Sequence, residues 1–324
     1  MNYRRLGRTG LQVSALGYGA WGIGKTMWIG ADDDESLRSL RRAIDQGVNF
    51  IDTALGYGEG HSEKLVGQAV REAGATVYVA SKIPPKNMTW PAPSGVAADD
   101  AFPADWVVEC TERSLANLGV ETIDVQQFHV WSDEWVGHGS WAEGVARLRE
   151  QGKIRYFGVS INDHQPANAI RLVESGLVDT VQVIYNVFDQ SPEDALFPAV
   201  QAHDVGVIVR VPLDEGGLTG RITAGTTFPE GDWRHRYFGG DRKLQVVEHV
   251  EAITKDLGVP VEALPGIALR YCLSAPAVST IIPGMRSVRN VDANVKAVED
   301  GPLSAQQLDV LHEHRWVRNF YEAP

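Results

Sequence analysis

The chain is poor in cysteine, with only Cys110 and Cys272 among 324 residues. The two lie far apart in the sequence, each within a helical pattern, so neither a disulfide framework nor a thiolate metal site is expected. No histidines have the H-E-x-x-H spacing of a zinc enzyme, and we predict no metal. A reducing cytoplasm is the expected location.

Long apolar runs and net positive charge are also missing. The opening MNYRRLGRTG lacks the apolar core of a signal peptide, and no run of about 18 apolar residues is long enough to span a bilayer. The formal net charge of -12 repels phosphate backbones and anionic lipid. We therefore expect neither a nucleic-acid nor a membrane partner, and the sequence leaves the oligomeric state open.

What the chain does contain is an alternation of short β-branched apolar runs with amphipathic segments. The amphipathic segments include residues 34–47, 62–74 and 105–119, with Ser62 as an expected N-cap and Gly47, Gly119 and Gly152 at expected helix ends. The runs read as strands buried on both faces, the first being glycine-rich. They cover residues 14–21, 48–54, 77–83, 123–131, 156–162, 180–186, 205–213 and 279–285.

Eight strands alternating with helices predict a TIM (β/α)8 barrel, formed as one domain over residues 1–324. An open doubly wound sheet is the alternative. The segment YRRLGRTGLQVSALG has a central turn and is expected to form a β-hairpin before the first barrel strand. Two long connections, 84–104 and 214–241, follow strands and should lie on the face where barrel active sites are built.

Polar residues stand where several of these strands end. Asp52, Lys82 and His129 close the second, third and fourth strands, and Tyr57 follows in the glycine-rich GYGEG loop. Each has an ordinary explanation when taken singly: a structural Asp–Lys pair, a surface tyrosine, a histidine packed against Trp131. Their order and spacing on one face favour a catalytic group.

The stretch DTALGYGEGHSE, from Asp52 to Glu63, matches the DTA-x-x-YG-x-G-x-SE pattern of aldo-keto reductases, and nearly the whole chain resembles this family. Further matches to the family are GVSIND (158–163), VQVIYN (181–186), GGLTGR (216–221) and IIPGMRSVRN (281–290). The GDWRHRYF stretch (231–238) resembles a bacterial subgroup, similar to the sugar and aryl-alcohol dehydrogenase-like members. The resemblance implies an NADP(H)-dependent oxidoreductase that interconverts a carbonyl and an alcohol. Tyr57 would be the general acid, Lys82 would make the phenol more acidic, Asp52 would keep Lys82 charged, and His129 would orient the carbonyl.

No G-x-G-x-x-G motif opens a strand–turn–helix unit, so a Rossmann site is not expected. The resemblance instead implies that Ser160, Asn162 and Gln182 hold the nicotinamide carboxamide, although Asn162 alternatively caps a helix near Asp163. It implies that Arg286 meets a 2'-phosphate, which favours NADP(H), with NAD(H) as the alternative. The remaining positions implied for the cofactor are Trp21, Arg210, Pro212, Leu213, Gly217, Leu218, Thr219, Arg221, Gly284, Asn290 and Asn294.

The chain departs from the family at two of these positions. Many members carry a tyrosine that stacks on the nicotinamide, where this chain has Arg210. The guanidinium either packs on the ring or pairs with an acid, and the sequence leaves both open. A basic residue that often follows the proline of the last strand is Gly284 here, which weakens the preference for NADP(H).

The expected substrate is a small carbonyl or alcohol. The nine tryptophans suit sugar or aryl rings, although core packing explains some of them equally well. The expected pocket residues are Trp21, Tyr57, Trp90 and Trp131, with Trp233, Arg234, Arg236 and Tyr237 as a lid. Two rival functions stand beside the reductase. One is an aldolase-like barrel in which Lys82 forms a Schiff base, and the other is a non-catalytic barrel that senses a nucleotide.

Overall fold

Eight parallel strands follow one another around the barrel in a computed structural model of the protein, which describes residues 1–316. Strand neighbours are also neighbours in sequence, and parallel bridges from Leu16 to Ile281 and from Gly19 to Gly284 join the last strand to the first. The closed TIM barrel is thereby confirmed, and the open sheet is excluded. The strands are β3 (Tyr18–Gly19), β4 (Phe50–Asp52), β5 (Tyr78–Ile83), β6 (Ile123–Phe128), β7 (Ile154–Ser160), β8 (Thr180–Ile184), β9 (Gly206–Arg210) and β10 (Val278–Ile281).

The predicted N-terminal hairpin is present and closes the amino-terminal end of the barrel. Its strands β1 (Tyr3–Arg5) and β2 (Gln12–Ser14) pair antiparallel. Leu6 and Val13 pack against the innermost barrel side chains. Gly7 permits this close approach, because a Cβ at this position would lie 2.2 Å from the backbone nitrogen of Gly206.

The helices surround the barrel and bury their apolar faces against the outer surface of the strands. Their bounds agree with the predicted segments, except that Ser62 is not an N-cap. Gly60 precedes the helix instead, and the Ser62 hydroxyl donates to the carbonyl of Ala20. The helices are α1 (Asp33–Asp45), α2 (His61–Glu72), α3 (Ala98–Ala101), α4 (Ala104–Leu118), α5 (Trp141–Glu150), α6 (Ile170–Ser175), α7 (Leu196–Ala202), α8 (Trp233–Tyr237), α9 (Arg242–Leu257), α10 (Leu264–Ser274), α11 (Val288–Glu299) and α12 (Ala305–His312).

Within residues 1–316, no helix has the length and apolar character needed to cross a bilayer. The two long connections are only partly irregular. The first contains α3, and the second contains a 3-10 turn at Asp214–Thr219 as well as α8. Both lie at the carboxyl ends of strands, as predicted for the active-site face.

The interior of the barrel is layered because side chains alternate along each strand. Phe50, Ala80 and Val125 belong to one apolar layer, which rests on the hairpin. Two residues further along the same strands stand Asp52, Lys82 and Gln127, all less than 5% exposed. The two-residue period of the strands therefore places a polar layer directly above the apolar one, toward the carboxyl ends of the strands.

Candidate active site

Asp52, Tyr57 and Lys82 meet in the polar layer at the mouth of the barrel. Lys82 Nζ donates to Asp52 Oδ2 (2.5 Å), to the Thr53 carbonyl (2.9 Å) and to the Tyr57 hydroxyl oxygen (3.2 Å). An ammonium has three hydrogens, so all of them are used. The Tyr57 oxygen accepts from Lys82, and its own proton is therefore directed away from the lysine.

The charge states of this group follow from burial and from its neighbours. Burial alone lowers the pKa of Lys82, but Asp52 and Tyr57 outweigh it and raise the pKa above its usual value. Burial raises the pKa of Tyr57, and the opposing charge of Lys82 does not reverse the shift. The phenol therefore stays protonated in the free protein, whereas the lysine stays charged.

His129 lies on the other side of Tyr57, with ring centroids 5.6 Å apart, and its ring also packs edge-on against Trp90. Burial lowers the pKa of His129 well below its usual value, and the positive charges of Lys82 and Arg210 lower it further. The imidazole is therefore neutral. Its Nδ1 is buried without a hydrogen-bond partner among residues 1–316.

Asp52 accepts hydrogen bonds from two glutamines, of which Gln127 was not predicted from the sequence. Its Oδ1 accepts from Gln182 Nε2 (2.7 Å) and also from Gln127 Nε2 (3.2 Å). Gln127 follows the apolar Val125 by two positions, as Asp52 follows Phe50, so the strand period could have identified it. The adjacent Gln126 obscures that signal.

A cavity of about 1860 Å³ opens above these groups. That volume exceeds the roughly 300–1000 Å³ of a pocket for one small ligand. Among its lining residues are most of those selected from the sequence: Trp21, Asp52, Tyr57, Trp90, His129, Ser160, Asn162, Gln182, Arg210, Pro212, Leu213, Thr219, Arg221, Trp233, Arg234, Arg236, Gly284, Arg286, Asn290 and Asn294.

Trp131 was expected in the pocket, and this expectation is wrong. Strand β6 ends at Phe128, so the inward alternation does not continue to residue 131. The Trp131 ring is fully buried and packs against Phe128, Trp135 and Trp141 outside the barrel.

Tyr237 and Leu218 also lie away from the cavity, contrary to expectation. The Tyr237 hydroxyl is buried and donates to Asp214 Oδ1 (2.5 Å). The backbone N–H of Leu218 donates to the Leu213 carbonyl, so it is not free for a phosphate. Gly217 packs directly on the Asp214 carboxylate, where a Cβ would lie 2.4 Å from Oδ2.

Asn162 lines the cavity but is already engaged. Its side-chain oxygen accepts from the Ala92 N–H and its Nδ2 donates to the Ala92 carbonyl, both at 3.1 Å. It does not cap a helix, since the next one begins only at Ile170. Asn162 therefore ties the first long connection to the end of β7.

The structure resolves the position of Arg210. Its guanidinium donates to Asp163 Oδ1 (2.5 Å) and to the Ile161 carbonyl (2.8 Å). Arg210 therefore pairs with an acid.

Glu215, which was not predicted from the sequence, is half-buried in the same wall of the cavity. Burial, together with the charges of Asp214 and Asp163, raises the pKa of Glu215 to about 8.

The loop that carries Glu215 has a strained backbone over a buried ion pair. Val211, Asp214 and Glu215 have φ of 55°, 48° and 52°, which costs non-glycine residues about 1–3 kcal/mol each. Arg242 donates to Asp214 Oδ1 (2.9 Å), and both side chains are about 5% exposed or less. This pair holds the loop from below.

Aromatic rings form the wall above Tyr57. Trp21 stacks on Tyr57 with centroids 6.1 Å apart and contacts Trp28 and Trp233 at 5.8 and 6.0 Å. Trp28 was not predicted from the sequence, since it follows no strand directly.

Arg286 lies further along the cavity, where its guanidinium donates to the Ile29 carbonyl (3.0 Å).

The sequence profile of the Aldo/keto reductase family matches residues 15–315, and the chain belongs to this family. It is similar to the aldo-keto reductase YhdN of Bacillus subtilis, with 32% identity over 90% of this chain and 87% of the relative. It is also similar to the NADH-specific methylglyoxal reductase of Escherichia coli, with 30% identity over 90% of this chain and 92% of that protein.

Solved structures agree with this assignment. The holo form of aldo-keto reductase AKR11C1 from Bacillus halodurans superposes with a TM-score of 0.77 at 26% identity, over 99% of this chain and 100% of that one. An aldo/keto reductase from Klebsiella pneumoniae in complex with NADP and acetate gives a TM-score of 0.68 at 26% identity, over 97% and 95% of the two chains.

Proposed function

We propose that the protein interconverts a carbonyl and an alcohol with NADP(H), and that Tyr57 transfers the proton. The observation that carries this proposal is the Lys82–Tyr57 hydrogen bond at the floor of the cavity. Because Lys82 donates to the phenolic oxygen, the phenolic proton is available to a ligand above it.

In the reductive direction, the Tyr57 proton passes to the carbonyl oxygen. The charged Lys82 stabilises the phenolate that remains, and Asp52 holds Lys82 in place. Neutral His129 lines the cavity beside Tyr57 and orients the same oxygen by donating a hydrogen bond. The nicotinamide supplies the hydride that reaches the carbonyl carbon. Tyr57 takes the proton back when the alcohol is oxidised.

The cavity suits a dinucleotide in size and in the chemistry of its walls. We assign the carboxamide to Ser160 and Gln182, with Asn162 acting more as a support because Ala92 already engages its amide. Thr219, at the end of the 3-10 turn, and Arg221, two residues further on, are assigned to the pyrophosphate. Arg286, Asn290 and Asn294 are assigned to the adenosine end.

NADP(H) is the proposed cofactor, because Arg286 offers a guanidinium at the adenosine end and such a group pairs well with a 2'-phosphate. The complex of the Klebsiella relative with NADP supports this choice. The Escherichia coli relative, described as NADH-specific, keeps NAD(H) as the alternative.

For the substrate we propose a small carbonyl compound that carries a sugar or aryl ring. Trp21, Trp90 and Trp233 line the cavity around Tyr57, and flat apolar faces suit such rings. We also propose a cytoplasmic location, since Cys110 and Cys272 are unpaired, buried thiols.

The Schiff-base alternative is disfavoured by the same geometry. A nucleophilic amine must be neutral, whereas Lys82 is paired with Asp52 and has a raised pKa. The nucleotide-sensing alternative makes a different prediction from the reductase, since it requires binding without turnover.

Fluorescence titration with NADPH and NADH, followed by carbonyl turnover in the wild type and in Tyr57→Phe, tests the proposal. We expect both forms to bind NADPH and the variant to lose turnover by about 10²–10⁴-fold. Absence of binding to either nucleotide would refute the oxidoreductase. Binding without turnover of any carbonyl would favour the sensor.

A further inference from the structure

Three side chains from alternate strands form a closed hydrogen-bonded triangle beneath the cavity. Asp52 comes from β4, Gln127 from β6 and Gln182 from β8. Both amides donate to Asp52 Oδ1, and Gln182 Nε2 also lies 3.4 Å from Gln127 Oε1. All three residues are 3% exposed or less.

We propose that Gln127 is a positioning residue that fixes the direction in which Gln182 presents its Oε1 to the cofactor. The inference rests on the proposed function, because it concerns the nicotinamide carboxamide. Asp52 holds Lys82 beside Tyr57, the proton donor. Through Gln127 and Gln182 the same carboxylate also contributes to the orientation of the nicotinamide, the hydride donor.

The orientation follows from counting donors and acceptors. A carboxylate only accepts, so Asp52 receives the Nε2 groups of both glutamines. Gln182 Nε2 has two hydrogens, one directed to Asp52 and the other to Gln127 Oε1. Oε1 is then the only polar atom of Gln182 left for the cavity, and it accepts from the carboxamide NH2. Without Gln127, the second N–H of Gln182 loses its partner. Asp52 still holds Nε2, but the amide plane can then rotate about that one remaining hydrogen bond, so Oε1 no longer keeps a single direction.

The space for this arrangement is provided by Gly158 on β7. A Cβ at that position would lie 3.1 Å from Gln127 Cγ and 2.3 Å from Thr180 Oγ1. A side chain here would collide with Thr180 and press on Gln127, so glycine on the neighbouring strand leaves the space that Gln127 occupies.

Two substitutions separate positioning from simple packing. Gln127→Met keeps the volume and removes both hydrogen-bonding atoms. Gln127→Glu keeps both when the new carboxyl is protonated, since its O–H donates to Asp52 and its C=O accepts from Gln182. The ionised form presents a second negative charge to Asp52. The groups that set this ionisation are Asp52 and Lys82 together with Tyr57, His129 and Arg210. Burial and Asp52 raise the pKa of the new carboxyl above the usual 4.3 or so of glutamic acid, and the positive charges oppose this rise.

The experiment measures NADPH affinity by fluorescence from pH 5 to 9. It also measures hydride transfer with NADPH deuterated at one of the two C4 positions. Gln127→Met should weaken NADPH binding on the order of tenfold at every pH. It should also transfer both hydrogen and deuterium to the product, because the nicotinamide no longer presents a single face to the substrate. Gln127→Glu should approach the wild type at low pH and diverge as the pH rises.

Gln126→Met is the matched control. Gln126 is the preceding residue of β6 and is equally buried, but its amide has no hydrogen-bond partner within residues 1–316. This control should keep wild-type affinity and stereospecificity. The inference is overturned if Gln127→Met retains both properties, or if Gln127→Glu shows no recovery at low pH. A wild type that binds no dinucleotide would instead refute the proposed function, and the inference with it.

Discussion

Lys82 Nζ lies 3.2 Å from the Tyr57 hydroxyl oxygen, and this bond fixes the direction of the phenolic proton. Lys82 does not make Tyr57 a stronger acid than a free tyrosine, because the effect of burial on the pKa is larger. The lysine instead limits the rise and remains beside the oxygen to stabilise the phenolate when the proton leaves.

Replacing Lys82 with Met should therefore abolish most turnover while leaving NADPH binding nearly unchanged. We expect kcat to fall by about 10²–10⁴-fold. The free energy of unfolding should also fall, by about 3–5 kcal/mol, because Asp52 is left as an unpaired buried charge. Lys82→Met combined with Asp52→Asn should regain stability in thermal unfolding but not turnover. Recovered turnover in the double variant would contradict the role of the lysine.

His129 should make the protein less stable in mild acid. Its pKa is far below the value of about 6.5 in the unfolded chain, so the unfolded state binds more protons below that pH. The free energy of unfolding should decline as the pH falls from 7 to 5, by at most about 1.4 kcal/mol per pH unit from this group. Denaturant titrations should show a smaller decline in His129→Gln. The exposed His138→Gln should behave like the wild type.

How far the sequence predicts the site depends on the strand period. Asp52 and Lys82 follow Phe50 and Ala80 by two positions, so inward alternation predicts that they meet. Gln127 follows the same rule, but the doublet with Gln126 leaves open which of the two amides faces inward.

The two-residue alternation no longer predicts the direction of a side chain beyond the end of a strand. Trp131 stands three residues after β6, where local alternation no longer determines direction, and its ring packs outside the barrel. Glu215 and Trp28 lie in loops whose positions depend on distant contacts. The buried Arg242–Asp214 pair is one such contact, and nothing local in the sequence predicts it.

The pKa of about 8 at Glu215 predicts a pH-dependent affinity for NADPH. The carboxyl is neutral below that pH and negative above it, where its charge disfavours an anionic dinucleotide in the cavity that Glu215 lines. Asp214 and Asp163 raise this pKa, while Arg210 and Arg234 lower it. The dissociation constant should rise between pH 7 and 9 in the wild type and stay level in Glu215→Gln. The exposed cavity residue Glu59 provides the control Glu59→Gln, in which the rise should persist.

Breaking the Arg242–Asp214 pair should destabilise the protein and loosen the loop above it. Arg242→Met leaves a buried carboxylate, and we expect a loss of about 3–5 kcal/mol in the free energy of unfolding with weaker NADPH binding. The Arg5–Asp204 pair provides the comparison, since both side chains are more than half exposed. Arg5→Met should cost less than about 1 kcal/mol. Equal losses in the two variants would show that the buried pair does not hold the loop.

Arg286 should distinguish the two nicotinamide cofactors. If its guanidinium meets a 2'-phosphate, Arg286→Ala should weaken NADPH binding by about 10–100-fold, the usual effect of losing charge-assisted hydrogen bonds. NADH lacks that phosphate, so its dissociation constant should change little. Arg286→Lys should retain part of the discrimination, because an ammonium keeps the charge but not the planar pair of donors. Parallel fluorescence titrations measure both constants, and an equal loss for the two cofactors would mean that Arg286 supports the cavity through Ile29 rather than recognising the phosphate.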